Sequence, residues 1–146
     1  MKHKMKLESY YSIMPNDLNS AGIIFGGVIS SEVDKIASIL AKKFFNSKSV
    51  VTIASYYHFV NPAYSGETLK LIAELKSVGE KSIGIKVSVF AFKNLENNKR
   101  KVANCYLVFG GIDENGNLIK NPSKEEDEVK EFMKKIGKLI DEKNSS

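Results

Sequence analysis

The stretch MPNDLNSAGIIFGGVISSEVD, residues 14–34, decides how the rest of the chain reads. Asp17-Leu18-Asn19-Ser20 is turn chemistry, because short polar side chains bond their own backbone. Ile23-Ile24-Phe25 is a short apolar run. Gly26-Gly27 then removes two Cβ atoms where a helix should begin. No Ser, Thr, Asp or Asn caps that beginning at the glycines, although these residues usually do so. The first N–H groups of the helix are left for another acceptor. A helix N-terminus suits a carbonyl oxygen or an anion.

From Val28 the spacing is helical. Ile29, Val33, Ile36, Ala37, Leu40 and Phe44 recur at three- and four-residue steps, the adjacent pair 36–37 aside. Asp34 does not sit on a polar outer face: its same-face neighbours include Ser30, Ser31, Ala37, Ser38 and Ala41, all small. They leave room for a ligand or a close backbone. Spacing alone favours a surface acid on an amphipathic helix; a catalytic carboxylate is the alternative.

Further motifs follow in order. Met14-Pro15-x-Asp17-x-Asn19, Gly22-x-x-Phe25-Gly26-Gly27-x-Ile29 and Asp34 are succeeded by Phe59-x-x-Pro62 and Gly66-Glu67. Val78-Gly79-x-x-Ser82 and Asp113-x-x-Gly116 come next. From about residue 7 to 122 this series resembles the hot-dog acyl-CoA thioester hydrolases of the YciA and brain acyl-CoA hydrolase type. The chain departs from them at Ile23, where a polar residue is frequent, and at Val28, where a bulkier one is. Both positions are expected near the acyl pocket.

Working outward, residues 7–13 read as a first strand and 46–49 as the break after the helix. Residues 50–60 are β-branched and aromatic, hence a strand, followed by a turn marked by Pro62 and Gly66. Leu69, Leu71, Ala73 and Leu75 alternate with polar residues, as do Ile83, Ile85, Val87, Val89 and Ala91. The turn between them is placed at 78–81. A polar loop at 94–101 precedes a last strand at 102–112. The order is strand, helix, then four strands whose short connections demand antiparallel pairing. That is an α+β fold with the helix on one sheet face. The resemblance implies the hot-dog form of it, an antiparallel sheet wrapped around a central helix. A C-terminal helix is expected over about 123–143, with Ser123 and Glu126 as a capping box. Val129, Phe132, Met133, Ile136, Leu139 and Ile140 form its apolar stripe, to dock on its own sheet or on a neighbouring subunit.

The 146 residues are long enough for one domain, 1–146, with a real core, and 42% apolar with 27% charged residues is a soluble globular composition. The net charge of +5 is spread over scattered lysines. With no nucleic-acid motif, most of it reads as a solvated basic surface, a few lysines serving an anionic ligand such as coenzyme A. The start MKHKMKLESYY lacks a signal-peptide core, and no run is long enough to span a bilayer. The cytoplasm is therefore the expected location. The lone Cys105 excludes an intrachain disulfide and reads as a buried inert thiol. Two widely spaced histidines give no zinc site, and neither a P-loop, a dinucleotide fingerprint nor a G-x-S-x-G elbow is present.

The resemblance implies hydrolysis of acyl-CoA to a free acid and CoA, without a cofactor, CoA being part of the substrate. Thioester hydrolysis needs an activated water and a home for the carbonyl oxyanion. Asp34, as general base or else as a nucleophile forming an anhydride, and the Gly27 N–H supply both, yet seven residues of helix separate them by about 10 Å. Two helices running antiparallel across a two-fold axis solve this, so the catalytic unit is expected to be a homodimer. The resemblance adds a trimer of dimers. Asn19 matches the family's Asn, which holds water or the thioester carbonyl; a turn-forming Asn is the equal alternative. Asp17 reads as a turn or cap residue. Phe25, Gly26, Lys81, Ser82 and His58 are expected at the substrate or CoA. For the last three the alternatives are a generic polar turn and a satisfied core or interface histidine. A non-catalytic acyl-CoA-binding module is the second reading. A hydratase is disfavoured, because the central helix carries no His.

Overall fold

The computed structural model describes residues 5–47, 49–121 and 126–144, the side chains of 126–128, 130, 143 and 144 excepted. Five strands are present: β1 (Lys6–Ser12), β2 (Val50–Phe59), β3 (Thr68–Val78), β4 (Ile83–Phe92) and β5 (Arg100–Gly111). The long helix α1 (Gly26–Phe45) lies between β1 and β2 in sequence, and α2 (Glu126–Asn144) closes the chain. The sheet order is β1-β3-β4-β5-β2, every pair antiparallel.

α1 touches all five strands, so the sheet wraps around it. Its apolar stripe is the expected one. Ile29, Val33, Ile36, Ala37, Leu40, Ala41, Phe44 and Phe45 are buried, against the alternate inner positions of the strands. Fully burying a Leu, Ile, Val or Phe contributes about 1.5–3 kcal/mol each, so this interface dominates the fold. The helix stops at Asn46, left-handed at φ 49°, a conformation Asn tolerates. α2 lies on the opposite, outer face. Val129 and Phe132 pack there with Val108. Part of the expected stripe thus docks on the chain's own sheet, while Met133 and Ile140 remain exposed. The expected Ser123–Glu126 capping box lies outside the described residues. Among the described residues, no helix is long and apolar enough to cross a membrane.

Two expectations need correction. The turn after β3 lies at 79–82, because β3 continues through Val78, paired to Ile83. More important, the short connection after β2 does not make β2 and β3 neighbours. β2 pairs with β5, and 60–67 crosses to the other side of the sheet. Three strand spacings are about 14 Å, while eight extended residues reach about 26 Å. A short loop suffices.

Candidate active site

The crossing segment builds the site. Ile24 N–H donates to Ala63 O at 2.9 Å, and Ile23 bridges Tyr64. Phe25 N–H donates to Asp17 O at 2.9 Å. The 17–25 loop is thereby tied down at the start of α1. Asp17 is a local cap: its Oδ2 accepts from Met14 N–H at 2.8 Å and from the Tyr11 hydroxyl at 2.7 Å. That bond pushes the Tyr11 phenol up to about 12. Asn19 Oδ1 accepts from the N–H groups of Ala21 (2.9 Å) and Ile23 (3.1 Å). Its turn role is thus real, and it leaves the side-chain NH2 without a partner among the described residues.

The segment is held from beneath by an ion pair that the sequence reading missed. Arg100, in the expected polar loop, instead opens β5. Its Nη1 and Nη2 donate to Glu67 Oε2 and Oε1 at 2.6 and 2.7 Å, and Nη2 also reaches Pro62 O at 2.8 Å. Glu67 is buried and takes a further bond from Tyr64 N–H. The Arg100 hydrogen bonds hold its carboxyl below its ordinary value.

At the helix start, Phe25 is the N-cap and gives no side-chain cap. Val28 N–H turns back to Phe25 O at 3.1 Å, but the N–H groups of Gly26 and Gly27 meet no acceptor among the described residues. A Cβ at Gly27 would meet nothing within 4 Å, whereas one at Gly26 would rest on the Phe59 ring at 3.5 Å. This tip opens on an apolar cleft of about 310 Å³ lined by Ile23, Ile24, Ile29, Phe59 and Val60. Larger clefts lie under α2 and beside 112–119, but they lack a helix tip with free donors.

Asp34 lies two turns further along α1, exposed, beside edge strand β2. The Tyr57 hydroxyl donates to its Oδ1 at 3.2 Å. Burial and the adjacent carboxylate push the Tyr57 phenol up to about 12, so it stays a donor at neutral pH. Tyr57 and Phe59 stack on the inner face of β2, at 6.4 Å. His58 points the other way. It stacks on Tyr56 at 6.4 Å, and Tyr56 in turn on Tyr106, on the outer face. Within one protomer its side chain therefore faces away from the tip. Lys81 and Ser82 are remote from the tip. Their turn lies beside Gly110, while Phe59 pairs with Ala103. Seven residues of β5, about 23 Å, lie between. Buried Cys105 has its thiol pushed up to about 12 by burial and is no nucleophile.

The thioesterase superfamily profile matches residues 21–96. The chain belongs to the thioesterase superfamily. An uncharacterized acyl-CoA thioester hydrolase of Haemophilus influenzae is 29% identical over 123 residues, covering 82% of this chain and 80% of that one. Among solved structures, the acyl-CoA hydrolase of Staphylococcus aureus, in complex with butyryl coenzyme A, coenzyme A and coenzyme A disulfide, superposes with a TM-score of 0.76. It is 25% identical, over 96% of this chain and 87% of that one. A hexameric thioesterase of Yersinia pestis is 26% identical with a TM-score of 0.71, over 79% and 94%. The hot-dog fold of this superfamily member is the expected one.

Proposed function

We propose that the protein hydrolyses acyl-CoA thioesters in a site completed by a second copy of the chain. The observation that carries this reading is the pair of glycine N–H groups, without an acceptor among the described residues, at a helix tip opening on an apolar cleft. Such donors suit the oxyanion of a thioester under attack, and the cleft suits an acyl chain. Asp34 of the same chain is about 10 Å away, too far for the same carbon. A two-fold axis that sets α1 antiparallel to its mate brings the partner's acid to the tip. It also reverses the ends of the sheet, so the partner's 79–82 turn, with its lysine and serine, moves toward the tip and the CoA.

Asp34 then takes a proton from water as the oxygen bonds to the thioester carbon. The Gly27 N–H holds the oxyanion of the tetrahedral intermediate. Collapse breaks the C–S bond, and the thiolate of CoA recovers the proton from the Asp34 carboxyl. Phe25 and Gly26 shape the tip, and the NH2 of Asn19 is free to hold the water or the carbonyl. Dimers of this kind can assemble further as trimers, in line with the hexameric relative.

Thiol release from short, medium and long acyl-CoAs tests the activity; tight binding without release would reduce the protein to an acyl-CoA-binding module. Subunit mixing tests the shared site. Asp34→Asn removes the base, worth about 10²–10⁴ in rate. Gly27→Pro removes the N–H at a first-turn position that tolerates proline. Each variant alone is inactive. Co-expressed in equal amounts, half of the dimers carry both, and each of these holds one intact site. About a quarter of wild-type turnover returns. No recovery would put both groups in the same protomer's site, and activity of either variant alone would take its group out of the mechanism.

A further inference from the structure

The cleft at the helix tip is dry by composition. Ile24 and Ile29, 5% and 3% exposed, form its floor, and Ile23, Phe59 and Val60 stand around them. Among the described residues, no charged side chain lines it. Its one polar side chain, Asn61, donates an amide N–H to Lys101 O at 2.8 Å. The Arg100 guanidinium beneath 60–67 is taken by Glu67 and by Pro62 O. An aliphatic chain laid in the cleft buries apolar surface against apolar surface. A carboxylate carried there loses its water and finds no cation among the lining residues, which costs far more than a methyl group gains.

Ile23 is the position at which this character can be altered without opening the core. Ile24 and Ile29 belong to the core cluster; Ile23 is half-buried and stands outside it. Its backbone is tied from both sides. The Ile23 N–H donates to Asn19 Oδ1 at 3.1 Å, its carbonyl accepts from Asn19 N–H at 2.8 Å, and the next N–H, of Ile24, donates to Ala63 O at 2.9 Å. The isolated bridge to Tyr64 fixes the same residue against the crossing segment. The backbone thus presents the side chain to the cleft, and the side chain itself is free to be changed.

We propose that Ile23 sets the acyl selectivity of this site, favouring unsubstituted straight aliphatic chains and rejecting chains that end in a carboxylate. The proposal rests on the reading that the tip cleft receives the acyl part of acyl-CoA. It goes beyond that reading in naming which acyl groups are taken and which side chain decides. A hydrophobic wall discriminates by the methyl groups it touches, and a site without a partner for a charge discriminates against the charge.

The test is calorimetry on the full-length protein with S-alkyl-CoA thioethers. These lack the carbonyl that is hydrolysed, so they read the cleft separately from turnover. Each fully buried methylene is worth about fourfold in affinity, so S-octyl-CoA is expected to bind at least about thirtyfold more tightly than S-ethyl-CoA. S-(7-carboxyheptyl)-CoA, of the same reach, is expected to bind at least about tenfold more weakly than S-octyl-CoA. Ile23→Thr weakens S-octyl-CoA about tenfold and S-ethyl-CoA by less than about threefold, and it narrows the gap to the carboxylated chain. Far-UV circular dichroism verifies that the variant keeps its fold. Equal binding of the octyl and ethyl thioethers, equal binding of the carboxylated chain, or an Ile23→Thr variant that keeps the wild-type ratios would overturn the selectivity and leave the hydrolase reading standing. Binding of none of the thioethers would overturn the acyl-CoA reading itself, and the selectivity with it.

Discussion

The sheet ends in two edge strands of opposite character. β1 presents Lys6, Glu8 and Tyr10 outward. Glu8 lies 4.0 Å from Lys6 and 3.8 Å from Lys70 of the next strand, and the Tyr10 hydroxyl donates to Glu96. The Tyr10 ring meets Phe92 edge-on at 6.4 Å. Charges of this kind keep an edge from pairing with another chain. β2 has no such guard. Val51, Ile53 and Phe59 are 40–49% exposed along it, with Val60 just beyond. Isolated, it would be an aggregation hazard; paired to a copy of itself across a two-fold axis, it would continue the sheet. Asp34 and Tyr57 lie along this open edge, and the helix tip touches Phe59. Under the proposal of a shared site, the contrast puts the second copy along β2, beside Asp34 and the helix tip.

The largest effect comes from giving β2 the character of β1. Val51→Lys with Ile53→Lys should raise the dimer dissociation constant by about a hundredfold or more, about 3 kcal/mol. Light scattering then reports monomers at micromolar concentration, thiol release collapses, and circular dichroism is unchanged. The reciprocal change on β1, Lys6→Val with Glu8→Val, leaves assembly and turnover as they were. Dissociation by the β1 change, with the β2 change silent, would reverse the assignment of the edges.

This contrast was only half legible in the sequence. The central helix was legible because its stripe repeats at the helical period, and the glycine pair because a missing cap has few other meanings. β3 and β4 were legible because one dry face forces strict alternation. β2 was legible as a strand but its two faces were not, because it is wet on both faces in one protomer and bulged between Thr52 and Ala54. Counting in twos from its start fails at the bulge, so the inward pair Tyr57 and Phe59 could not be told from the outward pair Tyr56 and His58. Its neighbour was hidden too. A short loop argues for adjacency, but this one crosses the sheet because its ends need only span about 14 Å. Arg100 was read as loop because polar neighbours surround it. Its partner Glu67 is 33 positions away, and no local spacing pairs them.

That ion pair gives the next prediction, since 60–67 carries the chain from the open edge toward the guarded one. Breaking a buried pair on one side costs about 3–5 kcal/mol, and the partial exposure of Arg100 lowers this to about 2–3 for Arg100→Met. Urea denaturation measures it. The pH dependence has a definite sign. The folded carboxyl of Glu67 is held below its ordinary value, so its contribution is present above the unfolded glutamate pKa of about 4.3. It is lost as pH falls through the lower, folded value. Glu67→Gln should therefore flatten the acid limb of the stability curve below about pH 4.5 and leave its neutral slope unchanged. A clamp that also aims the helix tip lowers kcat when cut; a merely structural one lowers stability alone.

The smallest effect probes the open edge at atomic scale. Tyr57 holds Asp34 by a single 3.2 Å bond, at the long end for a hydroxyl donor. A neutral donor to a carboxylate steadies its orientation without supplying a proton, because the Tyr57 phenol titrates only at about 12. Tyr57→Phe keeps the stacked ring against Phe59 and removes only that bond. One net hydrogen bond is about 0.5–1.5 kcal/mol, so kcat should fall about three- to tenfold with KM nearly unchanged. The pH–rate profile of wild type should show no limb from this phenol below about pH 10, and the variant should keep the same shape. If KM rises and kcat holds, Tyr57 contacts the acyl-CoA instead, and the open edge binds substrate rather than orienting its acid.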